Sequence, residues 1–221
     1  MKKVSLLLIA LIGFVCIAFS QTVSIGTQVW MTKNLDVSSF RNGEPIPEAR
    51  TSEQWADAVK NKQPAWCYYD NDPTNGEKYG KLYNWYAVND SRGLAPDGWH
   101  IPTDAEWTKL SAYLGDEEVG IKMKSISGWN DNGNGMNTSG YSGLPGGLRI
   151  EEGDFFKVGG LGGWWSSTEK DFESFENSEY DITDFDPKGF AWFRALNDYD
   201  GSIFRNRNGK GRGYSVRCLR D

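Results

Sequence analysis

The chain reads as an α+β domain, and three observations say so. Two short helices are announced by capping boxes in the first half. The second half breaks into short apolar runs separated by glycine- and asparagine-rich turns. No proline- or serine-rich linker divides the two. Helices gathered early and short strands gathered late are the pattern of an α+β class.

The elements follow in order. Lys2 and Lys3 precede an apolar run from Val4 to Phe19, and Ala18-Phe19-Ser20 offers small residues where a signal peptidase reads. Residues 1–20 are therefore expected to be a cleaved signal peptide. Residues 21–221 remain as a single domain, long enough to bury roughly 70% of its unfolded surface. Val23 to Leu35 alternates and predicts a hairpin turning at Gly26-Thr27. Two prolines make Asn42 to Pro47 a loop. Thr51 and Gln54 form a capping box that opens a helix with Trp55, Ala58 and Val59 inward. Ala65 to Tyr69 reads as a strand, Asp70 to Lys78 as a polar turn, and Gly80 to Val88 as a short aromatic helix.

The strongest local signal is Gly98-Trp99-His100-Ile101-Pro102-Thr103-Asp104-Ala105-Glu106-Trp107. Thr103 and Glu106 stand at capping-box spacing, so each side chain can bond the other's backbone N–H. Trp107, Leu110 and Leu114 then share one helical face, and Gly115 ends the helix. Beyond residue 126 the expected strands are Gly143 to Leu148, Phe155 to Val158, Gly163 to Thr168, Phe190 to Leu196, Ser202 to Arg205 and Tyr214 to Leu219.

Charge and cysteines bound the chemistry. The formal net charge of −6 becomes more negative once the two leader lysines are removed, which argues against nucleic-acid or anionic-lipid partners. No second stretch is long and apolar enough to span a membrane. Cys67 and Cys218 survive processing, and an even count in an exported chain predicts a disulfide. That bridge would close a loop of about 150 residues, worth roughly 5 kcal/mol in the chain-entropy model. His100, the single histidine, is read as structural. Asp70, Asp72 and Glu77 place hard oxygens near a glycine and form the leading candidate for Ca²⁺. The spacing departs from an EF-hand loop, because Gly76 is seventh and Lys81 twelfth. Asp181, Asp184 and Asp186 form a second acidic cluster.

Ten tryptophans are more than a hairpin and two helices need. Trp30, Trp66, Trp85, Trp99 and Trp107 are assigned to the core. Trp129, Trp164 and Trp192 are left to line a groove, and Trp164 and Trp165, adjacent in a strand, are expected on opposite faces. The expected ligand-binding residues are Trp164, Glu169, Trp192 and Arg194, where aromatic faces sit beside groups that bond hydroxyls.

Seven ordered segments carry a family resemblance: Val29 to Leu35, Trp66 to Asp72, Tyr79 to Val88, Pro96 to Pro102, Leu144 to Arg149, Trp164 to Glu169 and Ser215 to Cys218. Together they resemble the Fibrobacter succinogenes major paralogous domain, a group of secreted bacterial proteins. More distantly the chain looks like the formylglycine-generating-enzyme fold, a variant of the C-type lectin-like fold, through its Pro-Thr-x-x-Glu-Trp helix start and late arginine-rich strand. That resemblance implies a C-type lectin-like scaffold. The enzyme group's catalytic cysteines do not map onto Cys67 or Cys218. Three functions follow as expectations. The first is an exported, non-catalytic module binding a glycan or a cell-surface protein, in the periplasm, at the surface or in the medium. The others are an enzyme related to formylglycine-generating oxidases and a structural or adhesive surface protein.

Overall fold

The computed structural model describes residues 22–115, 118–170 and 189–221. The leader and the Asp181, Asp184, Asp186 cluster lie outside the described residues. In chain order the elements are β1 (Thr22–Ile25), β2 (Gln28–Met31), α1 (Ser52–Lys60), β3 (Trp66–Cys67), α2 (Pro73–Tyr79), β4 (Leu82–Tyr83), α3 (Trp85–Val88) and β5 (Trp99–His100). Then follow α4 (Asp104–Leu114), α5 (Val119–Met123), β6 (Gly146–Arg149), β7 (Phe155–Val158), β8 (Leu161–Lys170), β9 (Phe190–Asn197), β10 (Phe204–Gly209) and β11 (Leu219–Arg220). Short helices with several sheets make the class α+β, as expected.

A four-stranded sheet runs β1-β2-β11-β5, so the two ends of the described chain meet in one layer. A five-stranded sheet runs β10-β9-β8-β6-β7, and β3 pairs with β4 apart from both. Both capping boxes form. Thr51 accepts from the Gln54 N–H at the start of α1, and Thr103 accepts from the Glu106 N–H at the start of α4. Each N3 side chain bonds back to the cap, so donors left over by the first turn are satisfied.

The long strands β8 and β9 sit between two apolar clusters. Trp164 and Leu196 face Trp30, Trp107 and Tyr141. Trp165, Phe193 and Ala195 face Trp85, Tyr83 and Tyr214. The alternation of the strand holds, but both faces are covered. Trp164 and Trp165 are each 0% exposed, and Trp129 is 5%. Trp129 and Trp164, expected to line a groove, are interior instead: Trp164 and Trp165 do lie on opposite faces, but in a central strand both faces are covered.

Three arginines are buried with the rings. Arg149 donates to the carbonyls of Ala49 and Gly153 and lies over Trp55 and Phe155. Arg217 donates to the carbonyls of Met31 (3.2 Å) and Tyr141 (2.6 Å) and to Asn34 Oδ1 (2.7 Å). Asn34 Oδ1 also accepts from the Trp164 indole at 2.8 Å. Arg194 is the third. Neutral oxygens and aromatic faces thus hold the Arg149 and Arg217 guanidinium groups, and burial lowers the pKa of Arg217.

Several local expectations change. Asp70 to Lys78 is not a polar turn but a 3-10 turn followed by α2, with Asp72 as N-cap and Pro73 at the first position. Gly80 to Val88 splits into β4 and α3, because Asn84 caps a new helix at Trp85. The Tyr214 to Leu219 strand shrinks to β11. Ahead of it, single-residue bridges link Gly213, Tyr214 and Ser215 to Arg149, Tyr83 and Trp164 in turn. The bridge expected between Cys67 and Cys218 is not formed; both are free and buried. Cys67 packs with Trp55 and Leu82, whereas Cys218 packs with the Trp85 cluster. Burial pushes each thiol up to about 12, offset only in part by the nearby Arg149 and Arg217. Among the described residues no helix is long and apolar enough to cross a membrane.

Candidate functional site: a groove between the first hairpin and the fourth helix

The first hairpin turns at Gly26, whose φ of +61° favours glycine. A Cβ there would stand 2.9 Å from Tyr113 Cδ2. The missing side chain therefore lets the Tyr113 ring lie against the turn. Tyr113 comes from the last turn of α4, on the flank beside the buried Trp107 and Leu110 stripe, and is 67% exposed while those two are 0%. Lys109 stands one helical turn before it, on the same outer face.

Two hollows adjoin here and share Thr27, Gln28 and Lys109. One, of about 400 Å³, continues to Ile25, Gly26 and Tyr113. The other, of about 250 Å³, continues to Glu106, Leu219, Arg220 and Asp221. Gln28 is buried between them. Its amide nitrogen donates to the Glu106 carbonyl at 3.1 Å. The result is one shallow groove with an aromatic platform at one end and charged groups at the other.

His100, outside the groove itself, bridges two residues of the charged end. Its Nδ1 meets Asp221 Oδ1 at 2.8 Å and its Nε2 meets Glu106 Oε1 at 3.0 Å. The other Glu106 oxygen accepts from the Thr103 N–H and hydroxyl at 2.8 and 2.9 Å. Burial alone would lower the His100 pKa, but its hydrogen bonds to Asp221 and Glu106 outweigh burial and raise it. Burial would likewise raise Glu106, yet its bonds to Thr103 and His100 hold it low. Both ring nitrogens are engaged by carboxylates, so the imidazole has no free nitrogen to serve as a base.

The expected site residues are not gathered around this groove. Trp164 and Arg194 are neighbours across β8 and β9, but both are interior, at 0% and 1% exposure. Arg194 donates to Asp104 Oδ1 at 2.7 Å and to the Thr108 hydroxyl at 3.0 Å, which pins the sheet to α4. Asp104 also receives Arg205 at 2.8 Å, and the two arginines outweigh burial to keep its pKa low. Trp192 is half-buried beneath the Arg205 guanidinium, 3.7 Å from the ring centroid. Glu169 is exposed and ion-paired with Lys210. Trp164 and Arg194 therefore serve packing, and Trp192 is capped by the protein's own arginine.

The Ca²⁺ candidate also takes another form. The Asp72 carboxylate accepts from the Thr74 N–H at 2.9 Å as a helix cap. Asp70 lies in the preceding 3-10 turn and Glu77 on an exposed position of α2. Among the described residues no group of three His, Cys, Asp or Glu side chains gathers as a metal would require.

The residues missed from sequence are Gly26, Gln28, Lys109 and Tyr113. One signal was readable: with Trp107, Leu110 and Leu114 inward, Tyr113 is an aromatic ring on a polar helix face.

The family model described as the Fibrobacter succinogenes major domain matches residues 23–220, and the chain belongs to that family. No curated protein and no solved structure matches it significantly.

Proposed function

We propose that this member of the Fibrobacter succinogenes major domain family is an exported, non-catalytic binding module on a C-type lectin-like scaffold, and that its groove takes a saccharide. The observation that carries this reading is the Tyr113 ring. It is a large exposed aromatic held against Gly26 at the apolar end of the groove. A flat apolar face stacks on the C–H face of a sugar ring while fixed polar groups meet its hydroxyls. Thr27, Gln28 and Lys109 are placed for the second task. The state of the reactive groups favours binding over catalysis. His100 is held on both sides, and the two thiols are buried with pKa values pushed far above neutral. Export rests on the basic and apolar leader of the sequence.

The test is a glycan array probed with residues 21–221 and with a Tyr113→Ala variant. The reading expects at least one saccharide class to bind, with the signal lost in the variant while its melting temperature holds. Saccharide binding that survives in the folded variant overturns the groove assignment. Absence of all glycan binding overturns the saccharide reading and leaves a surface protein as the partner class.

A further inference from the structure

We infer that the groove selects saccharides whose ring carries a carboxylate; this rests on the saccharide reading above. The inference comes from the charges around the hollow shared by Glu106, Lys109, Arg220 and Asp221. The two acids are already engaged. Glu106 holds the Thr103 cap and His100, and Asp221 holds the other side of His100. The two cations are not. Among the described residues neither Lys109 nor Arg220 has a carboxylate within ion-pair distance; the Arg220 guanidinium lies 5.1 Å from the Trp99 ring centroid.

Those differences in commitment decide which charges a ligand can reach. Both acids already bond His100, whereas Lys109 and Arg220 line the same hollow without a carboxylate partner among the described residues. An incoming carboxylate gains charge-assisted hydrogen bonds from an ammonium and from the planar fork of a guanidinium. A neutral sugar gains neither. Lys109 lines both hollows, so the same residue stands beside the aromatic platform and beside Arg220. Stacking on Tyr113 and charge recognition thus fall on neighbouring parts of one ligand. Stacking alone would accept many sugars; the cations add the discrimination.

The experiment is calorimetric titration of residues 21–221 with a galacturonate trimer and with the neutral galactose trimer. Variants are Lys109→Gln, Arg220→Gln and Arg220→Lys, each checked for an unchanged melting temperature. The uronate is expected to bind at least about ten times more tightly, with the difference shrinking at high salt. Lys109→Gln and Arg220→Gln should each remove most of that preference, Lys109→Gln also weakening the neutral trimer because Lys109 meets hydroxyls as well, and Arg220→Lys should keep part of the preference. Equal affinity for the two trimers overturns the inference and leaves the saccharide reading standing. Binding of neither trimer by folded protein overturns the inference, and the glycan array then decides the saccharide reading separately. A preference that survives both glutamine variants overturns the assignment to Lys109 and Arg220.

Discussion

Helix α4 has two aromatic residues that behave in opposite ways. Trp107 faces inward and meets Trp30 at 4.8 Å, Tyr141 at 6.0 Å and Trp164 at 6.5 Å between ring centroids. Tyr113, less than two turns on, faces outward and rests on the backbone of Gly26. The inner residue joins two sheets to the helix; the outer one offers its ring to solvent. The difference teaches that a chain rich in tryptophan need not bind through tryptophan. Eight of the ten indoles supply core volume to a domain whose strands are mostly short and whose loops are long. The surface aromatic that matters is a tyrosine outside the conspicuous motifs.

Substitutions can break that comparison directly. Trp107→Ala removes the centre of the inner cluster and is expected to cost on the order of 4 kcal/mol in urea unfolding. Tyr113→Ala should shift stability by no more than about 0.5 kcal/mol. Similar costs for the two would mean that Tyr113 is also a packing residue, and the groove would lose its platform.

Arg217→Met tests the polar half of the inner cluster. The guanidinium fills space beside Tyr141 and satisfies the Met31 and Tyr141 carbonyls and Asn34 Oδ1. Methionine replaces part of the volume but none of the donors. The unmet buried acceptors should cost on the order of 3 kcal/mol. A variant as stable as the parent would show that these acceptors find other donors, and that Arg217 is dispensable glue.

How much of this was legible in sequence depends on the range of the interactions. The two capping boxes were readable because Thr51 with Gln54 and Thr103 with Glu106 act within one turn. The Gly26-Thr27 turn was readable for the same reason. Of the five tryptophans assigned to the core, Trp30, Trp66, Trp85 and Trp107 are buried at 0 to 6% exposure, whereas Trp99 is only half-buried. Burial of Trp164 and Arg194 was not readable. It depends on β8 and β9 being central strands, covered by α4 on one face and by Tyr214 and Trp85 on the other. No local pattern states that. The groove depends on residues 26 and 113 meeting across the fold, and on β11 returning to pair with β2 and β5. The separation of Cys67 from Cys218 into different clusters is likewise a property of the whole topology.

A smaller effect sharpens the link between α4 and the groove. Thr103→Ala deletes the cap hydroxyl that accepts the Glu106 N–H at 3.2 Å and also donates to its carboxylate. The expected loss is about 1 kcal/mol in thermal or urea unfolding. Neutral-sugar affinity should hold, because the cap lies at the opposite end of the helix from Tyr113. A collapse of neutral-sugar binding with little loss of stability would move the site toward Thr103.

The smallest effect is a pH dependence, and its sign follows from the His100 contacts. Burial pulls its pKa down, but Asp221 and Glu106 bind the protonated ring more strongly and leave it above the ordinary value of about 6.5. A raised folded-state pKa means that folding favours the protonated imidazole. The stabilisation is therefore fully present below about pH 6.5 and fades as pH rises through the raised folded value. Glu106 acts in the other direction. Its pKa is held low against burial by Thr103 and His100, so its contribution is present above the ordinary glutamate value of about 4.3 and fades as pH falls through the lower folded value. Stability from this cluster should thus be greatest in mildly acidic solution. His100→Gln can keep hydrogen bonds to the carboxylates but cannot gain the proton. Melting temperatures measured at mildly acidic, neutral and mildly alkaline pH should fall with rising pH in the parent and flatten in the variant. Parallel curves for the two proteins would show that His100 does not clamp Asp221 to the helix start.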